Sequence, residues 1–444
     1  DEFKRLGIIG DWDNPYTTMK FRSEALIAKE LLGIGMQDAL YMGSKPVMWS
    51  VIEKTALAEA EVEYLDYTSD AIWVKFEVNT KKSFADHNQS HEVPENTSIV
   101  IWTTTPWTIP GNRAISFSSN ITYSHYEVVS TDGDVWAKKG DNYIIADLLV
   151  EEVMGMAKVT KYNKISQISS DLLKNIICKH PFHEILKGFN FDVPLLDGNH
   201  VTDDAGTGFV HTAPGHGIDD FEIWMKNKKN LDEQNIDSTI PYTVNEDGTF
   251  DKSIDGFGEV YVFDKNGKKG KANEHVISKL VDSGAIISRR RFEHQYPHSW
   301  RSKKPVIFRN TPQWFISMQD NKTDGLRSTA LRSINETVFY PPAGKNRLHS
   351  MIETRPDWVL SRQRTWGVPI SVFINKKTGV FIPNREFDKS EELIDRIYQI
   401  FSAEGANSWF EENAKERFLE GIIENHDDWE KVDDILDVWF ESGT

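Results

Sequence analysis

Two short stretches hold most of the side chains in this chain whose types and spacing suit chemistry. The first, residues 102–112 (WTTTPWTIPGN), follows Trp102 with three consecutive hydroxyls, Thr103, Thr104 and Thr105, then a turn with two prolines that closes on Asn112. Alternate side chains of a strand face opposite sides, so Thr103 and Thr105 are expected to share one face while Thr104 points to the other. Such a strand end can offer hydroxyl and backbone groups to a sugar or an attacking water. Threonine is also simply a good strand former, and prolines end strands. The second stretch, residues 206–221 (GTGFVHTAPGHGIDDF), concentrates four Gly, two His and two Asp in sixteen positions. Glycines let the backbone approach a ligand closely, and His with Asp can steer protons or bind an amine.

A metal-dependent hydrolase is a second reading of the same residues, with His211, His216, Asp219 and Asp220 as ligands. The spacing is not that of a helical H-E-x-x-H, and no other His or Cys cluster lies nearby in the sequence. Residues 256–261 (GFGEVY) look like the front of a kinase glycine loop, yet no V-A-I-K, H-R-D or D-F-G follows and no G-x-x-x-x-G-K-S/T loop occurs. Phosphoryl transfer is not expected.

The elements that must position these residues show in the hydrophobic periodicity. Residues 22–32 carry apolar side chains at helical spacing and run into Gly33, a helix with a glycine stop. Residues 71–78 (AIWVKFEV), 98–104 (SIVIWTT) and 120–129 read as strands, and 79–96 as a polar connecting loop. Helical patterns return at 146–156, at 271–283 before Gly284, and at 391–403 behind Ser390 as N-cap. This predicts an α/β or α+β chain with a strand-rich middle. Two stretches dense in Trp, Arg and Pro, 305–318 and 355–373, read better as core than as an RNA-stacking surface.

With 444 residues, 39% hydrophobic and 11% aromatic, the chain has material for more than one core. A formal net charge of −17 argues against a nucleic-acid partner on average. Basic residues are nevertheless locally dense at Lys226, Lys228 and Lys229, at 265–271, at Arg289 to Arg291, and at Arg301, Lys303 and Lys304. A single cysteine, Cys178, excludes an intrachain disulfide and fits a reducing, cytoplasmic setting. No apolar run approaches the ~20 residues of a spanning helix, so no membrane segment is expected. The chain opens on Asp1 without a signal-like stretch, which suggests an excised piece of something longer.

Taken together, the two motifs resemble the paired signatures of the isoleucyl-tRNA synthetase editing domain, the class I insertion called connective polypeptide 1. LGIIGDWDNPY at 6–16, ALAEAEVEY at 56–64, TPQWF at 311–315, LSRQRTWGVPI at 360–370 and DVWFESG at 437–443 resemble the same family. Valyl and leucyl relatives typically carry a T-T-R-P version of the threonine strand, whereas Pro106 and Trp107 here follow the isoleucyl pattern; a valyl editing fragment is the alternative.

The resemblance implies a strand-rich α/β editing domain inserted into an incomplete class I Rossmann-like catalytic domain. It divides the chain into residues 1–48, a ribbon at 49–62, the editing domain at 63–293, a return ribbon at 294–303, and residues 304–444. It also implies roles. Asp220 would hold the α-amino group of the misattached amino acid, and His211 would shape the amino-acid pocket and exclude isoleucine. Thr103, Thr104 and Thr105 would receive the terminal adenosine and position the water, with Thr104 and Thr105 nearest the ester. Trp102 and Asn112 match further positions of that motif. Trp439 would line the isoleucine pocket of the synthetic domain beside residues 362–367. The partners implied are the acceptor end of tRNA(Ile), isoleucine and valine, with the protein a monomer. ATP and Mg would serve the full-length enzyme, but no H-I-G-H or K-M-S-K-S signature occurs, so this chain is not expected to activate isoleucine. Editing should need no cofactor. Where many bacterial relatives carry zinc-binding C-x-x-C pairs, this chain has Ser50, Glu53, His298 and Arg301, a poor zinc set, and a Glu53–Arg301 ion pair is expected instead.

Overall fold

A computed structural model describes residues 1–57, 61–83, 93–318, 325–353, 355, 357–363 and 365–444. They form two compact units, Lys45–Thr311 and a second made of Asp1–Ser44 with Pro312–Thr444. No helix among the described residues is long and apolar enough to cross a membrane.

The unit Lys45–Thr311 is organised by one ten-stranded sheet. Its longest strand, Val62–Glu77, pairs antiparallel with Ile286–Ser299 along most of its length, from Val62↔Ser299 to Val74↔Ile286, and also with Thr97–Thr103. Beyond Thr97–Thr103 come Val210–Thr212, Ala114–Phe117, Asp192–Asp197 and Ile177–Lys179 in spatial order. A bridge between Cys178 and Val78, with Asn79 N–H donating to the Ile177 carbonyl at 2.8 Å, brings the last of these back to the first. The sheet thereby curls into a closed ring, which removes two exposed edges.

Alternation in the strands explains how this ring is filled. Ile72, Val74, Phe76, Ile99, Ile101, Ile115, Phe117 and Val193 belong to one buried cluster. Ala71, Trp73 and Val100 face the opposite way and pack with Tyr126, Tyr143, Ile145, Val153 and Met154. Thr97–Thr103 is therefore buried on both faces, which is why it reads as a nearly unbroken apolar run. Emptying one such position, as in Ile101→Ala, costs about 2–5 kcal/mol. Cys178 is a buried small hydrophobe whose thiol is pushed up by desolvation.

In the second unit, helix Phe21–Gly35 buries Ala25, Ala28, Leu31 and Leu32 in one cluster with Leu393, Ile394, Ile397 and Phe401 of helix Ser390–Glu404. Gly33 does not end the first helix, which continues to Gly35 because Leu31, Leu32 and Gly35 are held by packing that outweighs one glycine's propensity cost. Ser390 is likewise the first helical residue and not the cap, and its hydroxyl donates to the Asn384 carbonyl at 2.5 Å. Residues 142–146 are a strand, Asn142–Ala146, so the helix expected from 146 starts later, at Val150. The expected loop 79–96 includes a short helix, Thr80–Ser83, and its residues 84–92 lie outside the described ones. Trp314, Phe315, Ile316, Leu360, Val368 and Ile370 are buried, as the core reading of the Trp-rich stretches requires.

Glu53 and Arg301 do not pair. The Glu53 carboxylate accepts from the Ser299 hydroxyl at 2.6 Å and the Ser302 N–H at 3.2 Å, while Arg301 turns to Glu61 at 3.8 Å. Nearby hydroxyl and amide donors engage one oxygen of this half-buried carboxylate without ordering a long, exposed guanidinium, while Oε2 has no hydrogen-bond partner among the described residues. The basic runs are largely solvated ion-paired faces: Lys228 meets Asp232, Lys229 meets Glu233, Arg289 meets Asp70 and Glu274, and Lys303 meets Glu63.

Candidate active site

The two motifs meet because their strands are neighbours. Val210–Thr212 lies parallel to Thr97–Thr103 with Val210 opposite Trp102, so both chains leave the sheet at the same end. Beyond that end is a cavity of about 370 Å³, lined by Trp102, Thr103, Thr104, Thr105, His211 and Asp220 among others. Thr104 and Asp220 thus line one cavity.

Thr103 and Thr105 do lie on one side, their hydroxyl oxygens 3.2 Å apart, and the Thr105 N–H donates to the Thr103 hydroxyl at 3.1 Å. Thr104 nevertheless reaches the same cavity instead of facing away. The strand ends at Thr103, and Thr105 turns out of extended geometry into the 3-10 turn Pro106–Gly111, so strand alternation no longer applies. That turn carries Thr108 to the cavity and leaves Asn112 fully buried.

Asn112 and Thr108 hold His211 from both sides. The Asn112 amide N–H donates to the Ala114 carbonyl at 2.8 Å and to His211 Nδ1 at 2.8 Å. The Thr108 hydroxyl donates to the Thr105 carbonyl at 2.9 Å and accepts from His211 Nε2 at 2.9 Å. These directions assign the neutral, Nε2-protonated tautomer. Burial pushes His211 down to about 3, so the ring stays neutral. His216 is equally engaged: Nδ1–H donates to the Phe308 carbonyl at 2.9 Å and Nε2 accepts from the Thr243 hydroxyl. Its ring meets Trp107 edge-on and sits where a Cβ on Gly111 would lie 2.7 Å from Cδ2, so Gly111 is what lets it in.

Both nitrogens of His211 and His216 are thus engaged by protein partners. Among the described residues, a group close enough to hold a cation is Glu77, His183 and Glu184, outside this cavity, and Glu77 there already pairs with Lys179 at 2.5 Å.

Asp220 stands in the first turn of helix Ile218–Glu233. Its carboxylate turns back to accept the Ala213 N–H at 2.8 Å. The residue as a whole is only half-buried, but the carboxyl is closed in, and desolvation pushes it up to about 7 despite that hydrogen bond. A carboxylate so poorly solvated gains much from a cationic ligand. Trp102, a further lining residue, meets Phe292 edge-on at 5.7 Å.

Trp439 is not part of this cavity. It lies in the other unit on helix Val438–Gly443 and is 73% exposed, next to Asp437, which accepts from Trp358 Nε1 at 3.0 Å and pairs with Arg362. Sequence reasoning passed over Thr108 and His200 as cavity residues. Thr108 stands inside the quoted motif, whereas His200 lies in a loop with no periodic signal.

The whole chain, residues 1–444, matches the family model for class I tRNA synthetases (I, L, M and V), and it belongs to that family. Within it, the chain is 53% identical to the isoleucine–tRNA ligase of Bradyrhizobium diazoefficiens and 54% identical to that of Rhodopseudomonas palustris, each over 452 residues. The isoleucyl resemblance of the motifs thus extends along the entire chain. Those alignments cover 100% of this chain but 44% of either relative, so the chain spans less than half the length of the curated relatives it matches. Among solved structures it is similar to the P. falciparum cytosolic leucyl-tRNA synthetase editing domain, at 11% identity and a TM-score of 0.29, covering 47% of this chain and 80% of that one.

Proposed function

We propose that this chain hydrolyses valine from mischarged tRNA(Ile), with the editing module at residues 63–293 between the ribbons 49–62 and 294–303. The observation that carries the reading is the convergence of Thr104, Thr105, His211 and Asp220 on one cavity. Asp220 receives the α-ammonium of the aminoacyl group as a charge-assisted pair. The hydroxyls of Thr103, Thr104 and Thr105 with Trp102 receive the terminal adenosine and seat a water against the ester carbonyl. His211, immobilised by Asn112 and Thr108, forms the wall that admits valine and excludes isoleucine.

A second sieve is needed because one methylene is worth only about 1–3 kcal/mol in an apolar pocket, a figure for which the isoleucyl enzyme is itself the standard illustration. An aminoacyl ester is already activated, so positioning and oxyanion stabilisation go far without a metal. Neither zinc nor another cofactor is assigned to this step. The whole protein would attach isoleucine to tRNA(Ile) with ATP and Mg in the cytoplasm, using segments this chain does not carry, and Trp439 would serve that pocket.

The test is deacylation by the chain at matched concentrations of valyl- and isoleucyl-tRNA(Ile). Valyl-tRNA should be cleaved faster, and a chelator should leave the rate unchanged. Equal rates for the two esters would remove the sieve, and a chelator-sensitive rate would restore the metal-dependent alternative.

A further inference from the structure

The 3-10 turn Pro106–Gly111 carries Thr108 and leads into Asn112, the two residues that hold His211, so whatever sets this turn sets the wall. It does not hold its own start. Pro106 brings no N–H, and the side chain of Thr105 before it caps none of the turn's N–H groups. The first N–H of the turn, that of Trp107, goes instead to a side chain from elsewhere in the fold and donates to Asn273 Oδ1 at 3.0 Å. Asn273 stands in the first turn of helix Ala272–Asp282, whose Ala272, Val276, Ile277 and Leu280 are buried in one cluster with Trp107 and Ile109. Packing of the helix therefore delivers the amide to the turn. At the far end the Ile109 carbonyl accepts from Nε2–H of His180 at 3.0 Å, a fully buried ring whose Nδ1 accepts the Phe182 N–H at 3.2 Å.

Resting on the proofreading reading above, we propose that Asn273 is a positioning residue for selectivity: by holding the Trp107 N–H it fixes the turn in the conformation that sets the Thr108 hydroxyl on His211 Nε2. It is not among the residues that line the cavity, so it acts through the turn and not on the substrate. The path is short. Thr108 follows Trp107, its N–H and its hydroxyl both donate to the Thr105 carbonyl at 2.9 Å, and its oxygen accepts from His211. Without the Asn273 acceptor the Trp107 end of the turn is released, Nε2 of His211 loses a fixed partner, and the ring gains room to move. A wall that yields admits the larger side chain, so the error runs in one direction. Isoleucyl ester is accepted more readily, while Thr104 and Asp220, which lie outside the turn, still take up valyl ester. A general loss of structure would instead slow both. One neutral hydrogen bond bounds the size of the effect at about 3–10-fold.

The experiment measures kcat/KM for valyl- and isoleucyl-tRNA(Ile) side by side for the unmodified chain, Asn273→Ala, Asn273→Leu and Asn273→Asp, each checked for folding by circular dichroism. The Ala and Leu variants, which lack an acceptor, should lower the valyl-over-isoleucyl ratio by about 3–10-fold, chiefly through faster cleavage of the isoleucyl ester, and should shift the imidazole nitrogen resonances of His211. The Asp variant keeps an acceptor oxygen at the same position and adds a charge that suits a helix N-terminus, so it should hold the unmodified ratio. An unchanged ratio with unchanged His211 resonances in the folded Ala or Leu variant, an equal slowing of both esters, or an Asp variant as unselective as Ala would overturn the assignment and leave the proofreading function standing. Equal cleavage of the two esters by the unmodified chain would overturn both.

Discussion

The cavity has two dissimilar sides in chemical terms. On the strand-and-turn side, Thr103, Thr105, Thr108, Asn112 and His211 bond to one another, with Asn112 Oδ1 the buried atom left without a partner. On the loop-and-helix side, Asp220 keeps one amide donor. A self-bonded network is rigid and holds a shape, which suits discrimination by size. An under-satisfied ionisable group answers strongly to a charged ligand, which suits binding. The contrast teaches that neighbouring polar residues in one pocket divide between shape and chemistry according to where their hydrogen bonds already go.

The division can be broken most decisively at Asp220. Asp220→Ala removes one partner of an enclosed charge pair and should cut kcat/KM for valyl-tRNA by about 10²–10³-fold, read by deacylation. In the unmodified chain KM should rise as pH falls through about 7, where the carboxyl takes up its proton, while kcat under saturation is less affected. Asp220→Asn should lose the same activity yet melt higher under alkaline conditions. The sign follows from linkage. A carboxyl raised above its unfolded value contributes stability below the ordinary carboxylate range and loses it as pH rises through about 7. The neutral amide escapes that loss, by about 1–3 kcal/mol after discounting for partial exposure, and the advantage should vanish near pH 4.

On the self-bonded side, effects should appear in selectivity more than in rate. His211→Ala opens the wall, and the valyl-over-isoleucyl preference should fall by about tenfold or more, measured as a ratio of kcat/KM values. If the preference survives, the wall lies elsewhere. Asn112→Asp should sharpen the picture by a smaller step. A carboxylate at that position favours Nδ1–H on the ring, reversing the tautomer and raising the His211 pKa from its depressed value, which nitrogen chemical shifts of the imidazole would register. The smallest effect belongs outside both sides: Arg301→Ala should change thermal stability by less than about 0.5 kcal/mol, because its contact with Glu61 is long and exposed.

Much of the cavity was legible in the chain itself. Three hydroxyls before a proline turn, and a glycine-flanked His-and-Asp loop, are local chemical statements that hold in any fold carrying them. The strands that bear them were visible for the same reason, since period-2 alternation and β-branched runs are local. What failed were readings that packing decides: the helix that passes Gly33, Ser390 inside its helix, Thr104 turned into the cavity, and Arg301 drawn to Glu61.

Residue order alone determined which chemical groups this protein owns and that two motifs carry them, because side-chain type and short-range spacing need no third dimension. Only the tertiary structure decided that Val210 lies beside Trp102 and that Asn112 and Thr108 use up both nitrogens of His211. Parallel pairing between strands over a hundred residues apart, and the hydrogen bonds across it, depend on long-range closure of the sheet, about which local patterns carry no information.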